Sequence, residues 1–243
     1  MSASDEAPGI FGTTHWSLVL AAGGDSSPLA REALERLCRA YWFPLYAHVR
    51  AKGFSPHDAE DFTQEFFTRF LASNALRTVS QDRGRFRAFL LASLNHFLAN
   101  EWDRLRAQKR GGGKRPMALH TASAEERLQM EPATDLTPER LYERRWATAL
   151  LQMVLERLQI EMISAGKGSL FESLAGFLSD VAGALSYAQA AAILGLTEAA
   201  TRKSVQRLRQ RYRELLREEV AHTIAAPHEV EDELKHLLGI FDC

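Results

Sequence analysis

Cysteine is almost missing from this chain of 243 residues: Cys38 and Cys243 are the only two. They are too few and too far apart for a metal-ligand set or a disulfide framework, which points to a reducing cytoplasm. No apolar run is long enough to span a membrane, and the N-terminus has no basic region followed by an apolar core, so secretion is not expected. Sustained strand alternation is missing as well, and helical spacing dominates instead. The chain has no HExxH, no P-loop and no GxSxG, and histidines such as His15, His48 and His120 lie scattered without ligand spacing. These gaps argue against an enzyme and against any bound cofactor or metal.

Net charge is also close to absent, at -1 from 30 basic and 31 acidic residues. The balance hides a local asymmetry. Basic segments lie around 104–115 and 202–217, and acidic ones around 58–65 and 229–233. Local sign, rather than the total, decides what such a chain attracts.

Ser186 to Arg217 (SYAQAAAILGLTEAATRKSVQRLRQRYRELLR) is the most informative stretch. Ser186 followed by Gln189 forms a capping-box start. Gly195 supplies a turn, and Thr197 can cap a second helix whose positive end Glu198 complements. Thr201, Val205, Leu208, Tyr212 and Leu215 recur on one face at helical spacing, while arginine, lysine and glutamine occupy the rest. A helix-turn-helix needs this division, because one side packs on its partner helix and the other enters a major groove. Arg202, Lys203, Gln206 and Arg207 are candidate base readers, and the later Arg209 and Arg211 are candidate phosphate contacts. A basic amphipathic helix can also be a merely solvated face; the capped turn favours the DNA-binding reading.

In chain order, Thr13–Ala22 is a candidate short helix, and a longer helix is expected over 29–50, kinked or restarted at Pro44. A third, from about His57 to Leu71, carries Asp58, Glu60, Asp61 and Glu65 beside an apolar stripe of Phe62, Phe66, Phe67 and Phe70. The helix dipole explains part of this acid, and a docking face for a basic partner is the alternative. Thr63 within it is a candidate phosphorylation site, against the plainer reading of an ordinary helical threonine. A helix over 86–108 begins apolar and ends basic, with Asn95, His96, Asn100 and Trp102 interleaved before Arg104 and Arg106. That mixture suits unpaired nucleic acid, although Trp102 in a core and His96 as a plain surface residue would fit too. GGGKRP begins a linker over 111–137, Pro138 opens a helix to about Ile163, and a shorter helix over 170–181 follows. The tail HEVEDELKHLLGIF reads as a packing helix that finishes the C-terminal domain, or as an acidic segment folding over the arginine face.

The order of these parts, DAEDFTQEFF, then FRAFLLASLNHFLANEWDRLR, then a linker, then a C-terminal helix-turn-helix, resembles bacterial RNA polymerase sigma factors of the sigma-70 class, extracytoplasmic-function type. The likeness covers about residues 29 to 217. It implies an all-α fold of two helical domains, a sigma region 2-like one at 29–110 and a region 4-like one at 138–217. Residues 111–137 would be a flexible linker, 1–28 an N-terminal extension and 218–243 a C-terminal one. It implies that Asp58, Glu60, Asp61, Gln64 and Glu65 dock on core RNA polymerase. Asn95, His96, Asn100, Arg104 and Arg106 would hold melted -10 DNA, and Arg202, Lys203, Gln206 and Arg207 would read the -35 duplex. Core polymerase and promoter DNA would be the partners of a cytoplasmic protein with no catalytic residue of its own. An anti-sigma factor or a regulatory kinase is a further candidate partner.

Overall fold

A computed structural model describes residues 28–72, 85–108, 121–131, 135–178, 185–224 and 227–241. Among these, every regular element is helical: α1 (Pro28–Ala51), α2 (Pro56–Ala72), α3 (Phe86–Gln108), α4 (Thr121–Gln129), α5 (Pro138–Ser164), α6 (Gly168–Leu174), α7 (Tyr187–Leu194), α8 (Glu198–Thr223) and α9 (Val230–Gly239). Short 3-10 turns at Ala175–Leu178 and Pro227–Glu229 follow α6 and precede α9. The candidate helix at Thr13–Ala22 lies outside the described residues. No helix among the described residues is long and apolar enough to cross a membrane.

Two compact units emerge, one from the described parts of Met1–Trp146 with Ala221–Cys243, the other Ala147–Val220. In the first, Leu37, Tyr41, Leu45 and Val49 of α1 are buried, as are Phe62, Phe66, Phe67 and Phe70 of α2 and Phe86, Leu90, Leu94 and Leu98 of α3. The four phenylalanines of α2 are the stripe that the apolar spacing marks. The rings meet mostly edge to face, as with Tyr41 and Phe86 at 5.5 Å, the arrangement that ring quadrupoles favour. Helix α1 continues through Pro44 as one element, so the helix does not restart there. In the second unit the late turns of α5 contribute Leu150, Val154 and Leu158, and α8 contributes Val205, Leu208 and Leu215.

Two expectations need correction. Part of the stretch expected as a tether is helix α4, which packs on α2. It is fixed to α1 by Glu125, which accepts from Tyr46 Oη at 2.6 Å and from Arg50 Nε at 2.5 Å. Residues 111–120 and 132–134 of that stretch lie outside the described residues.

The tail is helical as expected, but it belongs to the first unit and does not finish the helix-turn-helix domain. Glu233 is paired with Arg85 at 2.8 Å and with Arg87, and both Arg87 and Glu233 are only 2% exposed. Arg87 also lies over the Trp146 ring, 4.4 Å from its centroid, and its carbonyl accepts from Tyr142 Oη at 3.1 Å. A buried arginine needs such a carboxylate, because its charge cannot be shed by deprotonation.

Candidate nucleic-acid interface

The helix-turn-helix is built by local chemistry. Both halves of the capping box are present: the Gln189 N–H donates to Ser186 Oγ at 3.2 Å, and the Ser186 N–H donates to Gln189 Oε1 at 2.9 Å. Helix α7 ends where Gly195 turns left-handed at φ 64°, which lets the Leu196 N–H close on the Ala191 carbonyl at 3.0 Å. Thr197 then caps α8, accepting the Ala200 N–H on Oγ1 at 3.2 Å. Thr201, Val205 and Leu208 face inward with Ala190 and Ala191 buried on α7. The Thr201 hydroxyl, a polar intruder on that seam, donates to the Thr197 carbonyl at 3.1 Å and so stays satisfied. Farther along, Tyr212 Oη donates to the Leu151 carbonyl at 3.2 Å.

Arg202, Lys203, Gln206, Arg207 and Arg209 are all exposed on α8. Their settings differ. Arg202 is braced by Glu198 at 2.5 Å and lies over the Tyr187 ring at 4.3 Å, a cation–π contact that orients the guanidinium. Arg209 donates from Nε and a terminal nitrogen to the Phe177 carbonyl at 3.0 and 2.7 Å. Arg211, a candidate phosphate contact, is engaged within the protein. It is half-buried in a two-pronged pair with Glu161 at 2.9 and 3.0 Å and also reaches Glu214 at 3.2 Å. Those bonds keep its guanidinium even more firmly protonated than usual and make it a strut between α5 and α8.

In the first unit, Asn95, Leu98, Ala99 and Trp102 of α3 form one wall of an open groove of about 350 Å³, and Lys52 and Phe54 complete it. Trp102 is 45% exposed, which excludes the core reading, and its edge meets the Phe54 ring at 5.4 Å. Asn95 Oδ1 lies 3.1 Å from His48 Nε2, so a neutral ring protonated there donates to it and fixes the amide. Burial pulls the His48 pKa below its ordinary value, while the Asn95 bond works the other way. His96 and Asn100 are exposed but sit one residue round the helix from the groove wall and do not line it. The side chains of Arg104 and Arg106 lie outside the described residues. Lys52 and Phe54 were not among the sequence candidates; their only sequence signal is that they flank the Gly53 turn before the acidic helix.

The acidic helix α2 divides in the same way. Glu60 is 6% exposed and lies on the inner side, against its expected place on a docking face. Asp58 belongs to the helix start, exchanging bonds with Ser55 at 2.7 and 3.1 Å. Asp61 stands 3.7 Å from His57, Glu65 is paired with Arg69 at 2.5 Å, and Gln64 is exposed. The phosphorylation reading of Thr63 fails: its hydroxyl is fully buried and donates to the Ala59 carbonyl at 2.6 Å, out of a kinase's reach. The plain helical threonine is what the structure contains.

Among the described residues, no group of His, Cys, Asp and Glu is placed to hold a metal ion. No protein-family model, curated protein or solved structure matches the chain.

Proposed function

We propose that this chain is a promoter-recognition subunit of bacterial RNA polymerase, of the sigma-70 class and extracytoplasmic-function type that its sequence resembles. The observation that carries the reading is the capped, glycine-turned helix pair α7–α8 with exposed polar and basic side chains on its outer face. Lys203, Gln206 and Arg207, with the braced Arg202, project from the early turns of α8, where a recognition helix meets base edges. Arg209 stands beyond them for the phosphate backbone.

The groove around Asn95 supplies the second half. An exposed indole gives a stacking surface, Lys52 a cation for the backbone, and the amide of Asn95 a hydrogen-bonding edge, a combination suited to bases already out of the duplex. Asp61, Gln64 and Glu65, with Asp58 at the helix start, remain as the outward part of the polymerase-docking set. The chain itself performs no covalent step. It selects the promoter and holds the opened strand while polymerase makes RNA, and it does so in the cytoplasm as two nucleic-acid-binding modules on one chain.

Reconstitution with core polymerase tests this: run-off transcription on genomic fragments should yield discrete start sites that depend on the chain. Failure to compete with another initiation subunit for core polymerase at low ionic strength would sink the reading. A helix-turn-helix regulator that acts without polymerase is the second reading, favoured by the inward position of Glu60 on α2. Capture of core polymerase by the tagged chain separates the two.

A further inference from the structure

We infer that α4 is a built-in cover: it occupies the Glu60 side of α2 in the free chain and must leave before core polymerase can dock fully on that helix. The inference rests on the polymerase-binding reading above. It begins from a conflict on α2. Resemblance assigns Glu60 to docking, yet Glu60 is buried, and α4 is among the helices that pack on α2. Glu60 lies close enough to Tyr46 for its charge to help raise the phenol's pKa, and Tyr46 is the residue that bonds Glu125 of α4. The docking carboxylate and the cover's anchor therefore share one patch.

Named polar contacts hold the cover. Glu125 takes bonds from Tyr46 Oη at 2.6 Å and from Arg50 at 2.5 and 3.1 Å, and the Arg50 pair pulls its carboxyl below the ordinary range. Arg127 lies over the Phe43 ring at 4.1 Å, and Ala124 is buried. Just past the helix, Glu131 is pinned by Arg145 at 2.7 Å. A helix of 9 residues is too short to persist alone in water, so α4 exists because it is docked. Release and unfolding are thus one event.

Asp61, Gln64 and Glu65 stay at least partly accessible with the cover on, which leaves a partial foothold for a first encounter. Full docking then selects the uncovered form, and apparent affinity is reduced by the fraction of chains in that form. Weakening the cover should tighten binding without adding a contact.

The experiment compares the full chain with its Glu125→Ala and Arg127→Ala variants. Glu125→Ala removes the Tyr46 and Arg50 bonds, while Arg127→Ala loosens the same helix and leaves both of those partners intact. Amide hydrogen exchange over residues 121–129 reports release, and competition binding reports affinity for core polymerase. Both variants should exchange faster, and Glu125→Ala should bind core polymerase roughly 5- to 30-fold more tightly, the effect of losing charge-assisted bonds from the covered state. Faster exchange with unchanged or weaker binding overturns the cover and leaves the polymerase reading standing. Unchanged exchange in both variants also overturns it, since the named contacts then do not hold α4. If neither the wild-type chain nor any variant binds core polymerase, the functional reading falls and the cover falls with it.

Discussion

The two units treat charge in opposite ways. In the first, ionic groups are drawn inside: Arg87, Glu233, Glu60, Glu101 and Arg145 are all buried. Partners seen for them include Glu233 for Arg87, Arg69 for Glu101 at 2.9 Å and Glu131 for Arg145 at 2.7 Å. Among the described residues of the second, Glu219 is the one buried charged group, and Arg157 meets it at 3.0 Å, while the early cations of α8 stand in solvent. Buried charge specifies which segments pack together, because a wrong partner leaves an ion stranded. Exposed charge does little for stability and stays available to a polyanion. The first unit thus uses its buried ions to assemble distant parts of the chain, whereas in the second the early cations of α8 remain exposed.

The largest break in this contrast should come from Glu233→Ala. It strands Arg87, left with Glu143 at 3.6 Å as its remaining carboxylate, and detaches α9 from Arg85 as well. We expect a loss of about 3–5 kcal/mol in chemical denaturation of the full chain, the usual cost of removing one partner of a buried pair. A loss below about 1 kcal/mol, the value of a surface pair, would show that the pair does not hold the tail.

Next in size is a comparison within α8 itself. Arg207→Ala should weaken binding to a cognate -35 duplex by about 1–3 kcal/mol while stability changes by no more than about 0.5 kcal/mol. Arg211→Ala should do the reverse, lowering stability by about 1 kcal/mol through the lost Glu161 pair and leaving duplex affinity nearly intact. Equal DNA defects in the two variants would erase the distinction between reader and strut.

Gly195→Ala should cost about 1–2 kcal/mol. A Cβ at that position meets nothing within 4 Å, so the cost is purely that of holding an L-residue at φ 64°. Circular dichroism melts would detect it. Unchanged stability would mean that the turn can relax, and α7 and α8 would then not be held at a fixed angle.

How much of this was open to sequence reading follows from the range of each interaction. Ser186, Gln189, Gly195 and Thr197 act within a few residues of themselves, so their roles could be read directly, as could the buried side of α8 from its spacing. The phenylalanines of α2 were legible for the same reason. Glu60 was not: periodicity leaves it among four acids near a helix start, and its burial depends on packing within the unit. The destination of the tail was equally hidden, because Glu233 and Arg87 are 146 residues apart and nothing local marks them as partners. Arg211 looked like its exposed neighbours until Glu161 appeared opposite it. Lys52 and Phe54 became part of the groove only when α1 and α3 were brought side by side.

The smallest predicted effect is a pH dependence centred on His48, and its sign separates stability from DNA capture. Burial lowers the pKa of this imidazole, with Lys52 adding to the shift and Asn95, the Pro138 carbonyl and Glu139 opposing it. As pH falls below about 6.5, the ordinary histidine value, the unfolded chain takes up a proton there that the folded chain resists. Stability should therefore decline from that point until the folded-state pKa is passed, and then level off. His236, whose pKa burial and the neighbouring Arg85 and Arg87 also lower, acts in the same direction, so the His48 share is the difference between wild type and His48→Gln. For a neutral ring protonated at Nε2 the bond to Asn95 exists in both charge states, so protonation penalises the fold without turning the amide away from the groove. Single-strand binding per folded molecule should accordingly hold steady across this range while the melting temperature drops. A parallel loss of both would mean that His48 sets the position of Asn95 through its charge rather than through that one bond.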